Sequence, residues 1–237
     1  MLLTKQKLAG MMECGRLEPY SNKEEILKLC RSARAFGLGV AYANLSYLPL
    51  VGRAIAGSRT RLGIPIAFPF GATSPEMKIA EARQALEEGA VEFDMVMNVQ
   101  RFKSGEYTYV EDDIRGVVEA VGGNTTKVII ETCFLTKAEI VKAARLVKEA
   151  GANYVKTSTG YGTYCARLVD VQLIRENVDI GIKAAGDITD LYTCMAMIRA
   201  GATTIGANPE DAETILNEFE AKYGEQVEIQ VAQVGER

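Results

Sequence analysis

Apolar residues along this chain return with two alternating periods. Over Ser74–Glu88, Thr136–Ala150 and Leu191–Ala200 they recur every third or fourth residue, as one face of a helix requires, and short β-branched or aromatic runs follow each stretch. The junctions share one phrase: Glu88-Gly-Ala-Val-Glu-Phe-Asp94, Ala150-Gly-Ala-Asn-Tyr-Val-Lys156 and Ala200-Gly-Ala-Thr-Thr-Ile-Gly206. Glycine suits the left-handed position that closes a helix, so each phrase reads as a helix end leading into a strand. Counting such units predicts strands near Met11–Leu17, Gly39–Asn44, Ile64–Phe70, Val91–Asn98, Lys127–Thr132, Tyr154–Ser158, Ile180–Ala185 and Thr203–Gly206. This alternation suggests an α/β chain folded as a (β/α)8 TIM barrel. The competitor, an open doubly wound sheet, lacks its G-x-G-x-x-G after the first strand. The expected organisation is one barrel domain over residues 1–237, with 224–237 as a C-terminal tail. Within that tail Val227–Val234 alternates weakly, compatible with an extra strand, a subunit contact or a frayed end.

Strand register refines the picture, because side chains alternate between barrel interior and helix layer. In Phe93-Asp-Met-Val-Met-Asn98 the apolar Phe93, Met95 and Met97 belong to the helix side, leaving Asp94 and Asn98 inside. Counting four residues on from the alanine of each Gly-Ala junction reaches Asp94, Lys156 and Gly206. An acid, an amine and a backbone opening are thus expected around one pocket at the C-terminal strand ends.

Composition narrows the chemistry. A formal charge of −4 without long single-sign runs offers no footprint for nucleic acid or an anionic membrane surface, which leaves a small molecule as the expected partner. Lysines interrupt the N-terminal apolar run and no span reaches membrane length, so a soluble, cytoplasmic protein is expected. Five scattered cysteines without a C-x-x-C pair argue against a disulfide framework or zinc site. Histidine is absent, which removes imidazole-dependent nucleophile systems and the usual imidazole metal sites.

Two lysines then stand out: Lys156 and Lys183 lie in apolar strand sequence, where an unpaired ammonium is costly. A lysine near pKa 10.4 is protonated at neutrality, and becoming nucleophilic requires a fall of roughly 3, equivalent to about 4 kcal/mol. Burial and a second lysine on the adjacent strand both push that way, so one amine would be neutral and the other cationic. Asp94 would move protons through water during carbinolamine and enamine steps. Such Schiff-base chemistry needs no metal or organic cofactor. The alternatives are ion pairing or snorkelling for each lysine and a hydrogen-bond hub for Asp94. Lys127 reads as the ion-pair partner of such an acid, Tyr154 and Tyr161 as substrate contacts or barrel packing, and Glu131 as a further interior acid without an assigned role.

At these residues the chain resembles the deoxyribose-phosphate aldolase family. The likeness runs through Ser46-Tyr-Leu-Pro-Leu50, Phe68-Pro-Phe-Gly-Ala-Thr73, Phe93-Asp-Met-Val-Met-Asn98, Lys127-Val-Ile-Ile-Glu-Thr132, Val155-Lys-Thr-Ser-Thr-Gly160 and Ile205-Gly206. The resemblance implies a class I aldolase cleaving 2-deoxyribose 5-phosphate to acetaldehyde and glyceraldehyde 3-phosphate, or acting on a related, non-phosphorylated substrate. It implies Lys156 as Schiff-base lysine, Lys183 as the lysine that tunes it, Asp94 as proton relay and Lys127 as a supporting lysine. The substrate-binding candidates are Lys127, Thr157, Gly160, Gly186, Asp187, Gly206 and Asn208, and a homo-oligomer, in the simplest case a dimer, is compatible. Other Schiff-base barrel enzymes and a non-catalytic sugar-binding barrel remain alternatives.

The likeness breaks at the segments that hold phosphate in the family, which here read Lys183-Ala-Ala-Gly-Asp-Ile-Thr189 and Gly206-Ala-Asn-Pro209, and at Glu13-Cys-Gly15. Asp187 puts a carboxylate where a dianion would sit, and Pro209 lacks an N–H. The expected result is an acceptor without phosphate, with a hydroxyl or amine near Asp187. The competing expectation has Asp187 capping the helix near Asp190 while Gly186 and Gly206 amides hold phosphate.

Overall fold

The computed structural model describes residues 1–235. Eight parallel strands close into a barrel in chain order: β2 (Met12–Arg16), β3 (Val40–Ala43), β4 (Arg61–Ile66), β5 (Glu92–Val96), β6 (Thr125–Ile129), β7 (Tyr154–Lys156), β8 (Gly181–Ala185) and β9 (Thr204–Ala207). The outer layer contains α2 (Lys23–Phe36), α3 (Leu48–Ile55), α4 (Pro75–Glu87), α5 (Val99–Lys103), α6 (Tyr107–Ala120), α7 (Lys137–Glu149), α8 (Leu168–Asn177), α9 (Leu191–Arg199) and α10 (Pro209–Tyr223). Each expected strand is present. The third ends earlier than expected because Ala67 turns into the left-handed region (φ 54°), which carries Phe68–Phe70 out of the sheet.

Local sequence explains the helix boundaries. Asn22 with Glu25, and Thr136 with Glu139, form reciprocal capping boxes that start α2 and α7. The three junction glycines, Gly89, Gly151 and Gly201, all adopt φ near +90° to +110°, where a side chain would be strained. Each thereby redirects the chain from a helix into the next strand.

Two segments lie outside the barrel. Short β1 (Leu2–Thr4) pairs antiparallel with β10 (Gln226–Glu228), and α1 (Lys5–Met11) leads from β1 into β2. The tail expected over 224–237 therefore contributes a strand, and Ile229 packs into the core; residues 236 and 237 lie outside the described residues.

The strands separate two environments. Outward-facing Met12, Ala41, Phe93, Met95, Val155 and Ile205 join one continuous apolar layer with the helices. The inward face carries Glu13, Tyr42, Glu92, Asp94, Lys127, Lys156 and Lys183, all buried. Glycines make room for this cargo: a Cβ on Gly63 would lie 2.6 Å from the Tyr42 ring, and one on Gly181 2.5 Å from the Tyr154 ring.

Candidate active site

Asp94 is fully buried on β5 and organises the interior. Its Oδ2 accepts from Lys156 Nζ at 2.9 Å and Lys183 Nζ at 2.8 Å, while Oδ1 accepts from the Tyr42 hydroxyl at 2.7 Å. Because both amines bind one oxygen, they share a single small volume. The pairing follows from register, since Lys156 and Lys183 are partners across β7 and β8 and both point inward. A second carboxylate, Glu13 on β2, lies 2.6 Å from Lys183 Nζ, 3.3 Å from Lys127 Nζ and 3.0 Å from the Tyr42 hydroxyl. Below them Lys127 pairs with Glu92, which reaches Arg61 Nε at 2.8 Å at the base of the barrel.

The electrostatics distinguish the lysines. Burial pulls Lys156 down, Asp94 opposes that effect and the neighbouring Lys183 adds to it, leaving a pKa of about 8. For Lys127 burial is outweighed by Asp94, Glu13 and Glu92, and its pKa rises. Burial alone would keep Asp94 protonated, but Lys156, Lys183 and Lys127 overcome it and hold the carboxyl well below its ordinary range. Burial and the nearby Asp94 and Glu13 raise Tyr42 far above a normal phenol, so it serves as a hydrogen-bond donor.

A cavity of about 350 Å³ opens above this cluster at the C-terminal strand ends and reaches Lys156 and Lys183. Gly160, Gly186, Asp187, Gly206 and Asn208 line it, as does Tyr161, whose ring meets Phe68 edge to face at 5.5 Å between centroids. The two other substrate-binding candidates, Thr157 and Lys127, sit elsewhere. Thr157 is buried, and its hydroxyl accepts from the Ala185 N–H at 3.2 Å. Lys127 is locked among carboxylates beneath the cavity, with Tyr154 packed beside it. Asn98 caps α5 through the Arg101 N–H. Glu131 holds the Thr159 amide at 3.2 Å and accepts from the Cys133 thiol at 3.8 Å, at the edge of the β7 loop.

The model of the DeoC/LacD aldolase family matches residues 24–208. The chain belongs to this family. A deoxyribose-phosphate aldolase of Clostridium novyi (strain NT) is 46% identical over 195 residues, covering 81% of this chain and 88% of the relative. The crystal structure described as a putative deoxyribose-phosphate aldolase from Coccidioides immitis superimposes with a TM-score of 0.88 at 32% identity, over 93% of this chain and 88% of that one. A deoxyribose phosphate aldolase from Aeropyrum pernix, described as a unique tetramer, matches with a TM-score of 0.82 at 27% identity over 92% and 93% of the two chains.

Three members of this aldolase's interior network, Glu13, Tyr42 and Glu92, escape sequence reasoning about catalysis. Their signal is polar character inside apolar strand sequence: Glu13 between Met12 and Cys14, Tyr42 between two alanines, and Glu92 two residues before Asp94 and so on its face. Asp187 lines the cavity, and the cap of α9 is supplied by Asp190, which accepts from the Thr193 N–H at 2.8 Å.

Proposed function

We propose that this aldolase works through a Schiff base on Lys156, with Lys183 and Asp94 as its immediate partners. The observation that carries the reading is the shared Asp94 oxygen, which gathers two amines at the floor of an open cavity. With its pKa near 8, an appreciable fraction of Lys156 is neutral at physiological pH and able to attack an aldehyde carbon. The carbinolamine loses water to give an iminium, loss of a proton from the adjacent carbon gives an enamine, and that carbon adds to a second aldehyde. Hydrolysis then releases the aldol and restores the amine. Asp94 is the carboxylate nearest the reacting nitrogen and is kept ionised by its neighbours, which suits it to relay protons through water. Lys183 depresses the Lys156 pKa and donates to the same carboxylate, so it acts on the nucleophile through charge and placement. A small donor such as acetaldehyde and a short hydroxyaldehyde acceptor fit the cavity volume.

Borohydride reduction in the presence of acetaldehyde tests this. A stable mass increment should map to Lys156 and be lost in Lys156→Met; an adduct on another residue, or none, would overturn the assignment. Among the described residues no helix is long and apolar enough to cross a membrane. Five free cysteines support a reducing, cytoplasmic location. A homodimer is the assembly to test by sedimentation.

A further inference from the structure

Resting on the Lys156 reading, we infer that the acceptor taken by this pocket is an unphosphorylated hydroxyaldehyde, selected by a wall of carboxylates that accept its hydroxyl protons. Four acidic residues, Glu13, Glu18, Asp187 and Asp211, line the cavity. Its two lysines are already bound to Asp94, and one of them also to Glu13. The nearby guanidinium of Arg16 is bound to Glu210 and does not line the cavity. Apart from the two lysines on its floor, the charged side chains that line the cavity are therefore all acidic.

Glu13 offers a hydroxyl acceptor at the catalytic end of the cavity, beside Lys183. Glu13 is 2% exposed, it borders the cavity, and its Oε1 has no hydrogen-bond partner while Oε2 binds Lys183. A buried carboxylate oxygen without a donor is costly, and a hydroxyl reaching down from the cavity would supply one.

Two backbone features beside the cavity weaken its hold on an anion. The Gly186 N–H donates to the Gly206 carbonyl at 3.3 Å. The α10 terminus opens with Pro209, which has no N–H, followed by Glu210 and Asp211 in its first turn. The Cys165 side chain closes over Gly186, where a Cβ would lie 2.6 Å from its sulfur. Burial and the neighbouring Asp187 carboxylate push that thiol up to about 12, and Asp187 itself sits on a left-handed backbone (φ 57°). The side chains that charge this part of the cavity are thus carboxylates, and no lysine or arginine other than Lys156 and Lys183 lines it.

The test compares kcat/KM of the full chain for aldol addition of acetaldehyde to glyceraldehyde and to glyceraldehyde 3-phosphate. The free aldehyde should be favoured by about tenfold or more, the scale of one like-charge contact at the edge of a solvated pocket. Equal values or a preference for the phosphorylated aldehyde would overturn the inference. Asp187→Asn should move the ratio toward the phosphorylated acceptor by about three- to tenfold, mainly through KM; an unmoved ratio would remove Asp187 from the selecting wall and defeat the charge argument. Borohydride trapping with acetaldehyde alone keeps the two readings apart. An adduct on Lys156 together with a phosphate preference defeats only the acceptor assignment, whereas no adduct defeats the Schiff-base reading beneath it.

Discussion

Phe93 and Asp94 are neighbours on β5 and both are fully buried, yet they meet opposite worlds. Phe93 faces the helices and contributes apolar area to a continuous layer. Asp94 faces inward, where its oxygens are shared among two lysines and a tyrosine, with a third lysine 3.8 Å away. The outer face tolerates any side chain of suitable volume, because its attraction is non-directional. On the inner face each group is held by particular partners, so loss of one leaves others buried and unpaired. The difference teaches that stability and chemistry are divided between the two sides of the same strands.

Substitution of these neighbours is the sharpest way to break that division. Asp94→Asn should cost about 3–5 kcal/mol in chemical denaturation, the scale for breaking a buried ion pair, and should abolish the acetaldehyde adduct on Lys156. Phe93→Ala should lose a similar amount, about 3–5 kcal/mol, through a cavity, while the protein that remains folded still forms the adduct. Loss of the adduct in both variants would show that the two faces cannot be separated.

A second measurement follows from the sign of the Lys156 shift. Only the neutral amine attacks, so kcat/KM should rise with pH about tenfold per unit below the pKa near 8 and flatten above it. A flat profile between pH 6 and about 8 would remove the depressed amine from the mechanism.

Smaller effects sharpen the comparison. Gly181→Ala would place a Cβ 2.5 Å from the Tyr154 ring, and should destabilise by about 1–3 kcal/mol through overpacking. Arg61→Gln removes the outermost link, whose side chain is 52% exposed, and should cost less than about 1 kcal/mol in thermal or urea unfolding.

Much of this arrangement is legible in the sequence because two periods carry it. The Gly-Ala junctions mark where helices end, and all three glycines take the expected positive φ. Two-residue alternation correctly assigns Phe93, Met95 and Met97 outward and Asp94 inward, and register alone brings Lys156 opposite Lys183. The β1–β10 pair is hardest to read, since three-residue strands carry too few positions to show a period and their contact spans the whole chain. Tyr42, and the place of Glu13 in the interior network, are hidden for another reason. Each is one polar residue among apolar neighbours, and only barrel closure, which pairs β2 with β9, puts Glu13 beside Lys183. Thr157 shows the converse: its place beside Lys156 suggests a pocket contact, but the next position along a strand faces the other way, and its hydroxyl is used by Ala185.

The enclosed polar set matches three lysines with three carboxylates: Lys127, Lys156 and Lys183 with Glu13, Glu92 and Asp94. Deprotonation of Lys156 unbalances that tally, leaving Asp94 short of one counterion at the moment the nucleophile is armed. Condensation with an aldehyde makes the nitrogen cationic again, as an iminium with a lasting positive charge, and restores parity. On the proposed mechanism the barrel's interior is thus electrically complementary to the covalent intermediate more than to the free amine, so part of the drive toward the adduct is already present in the empty pocket.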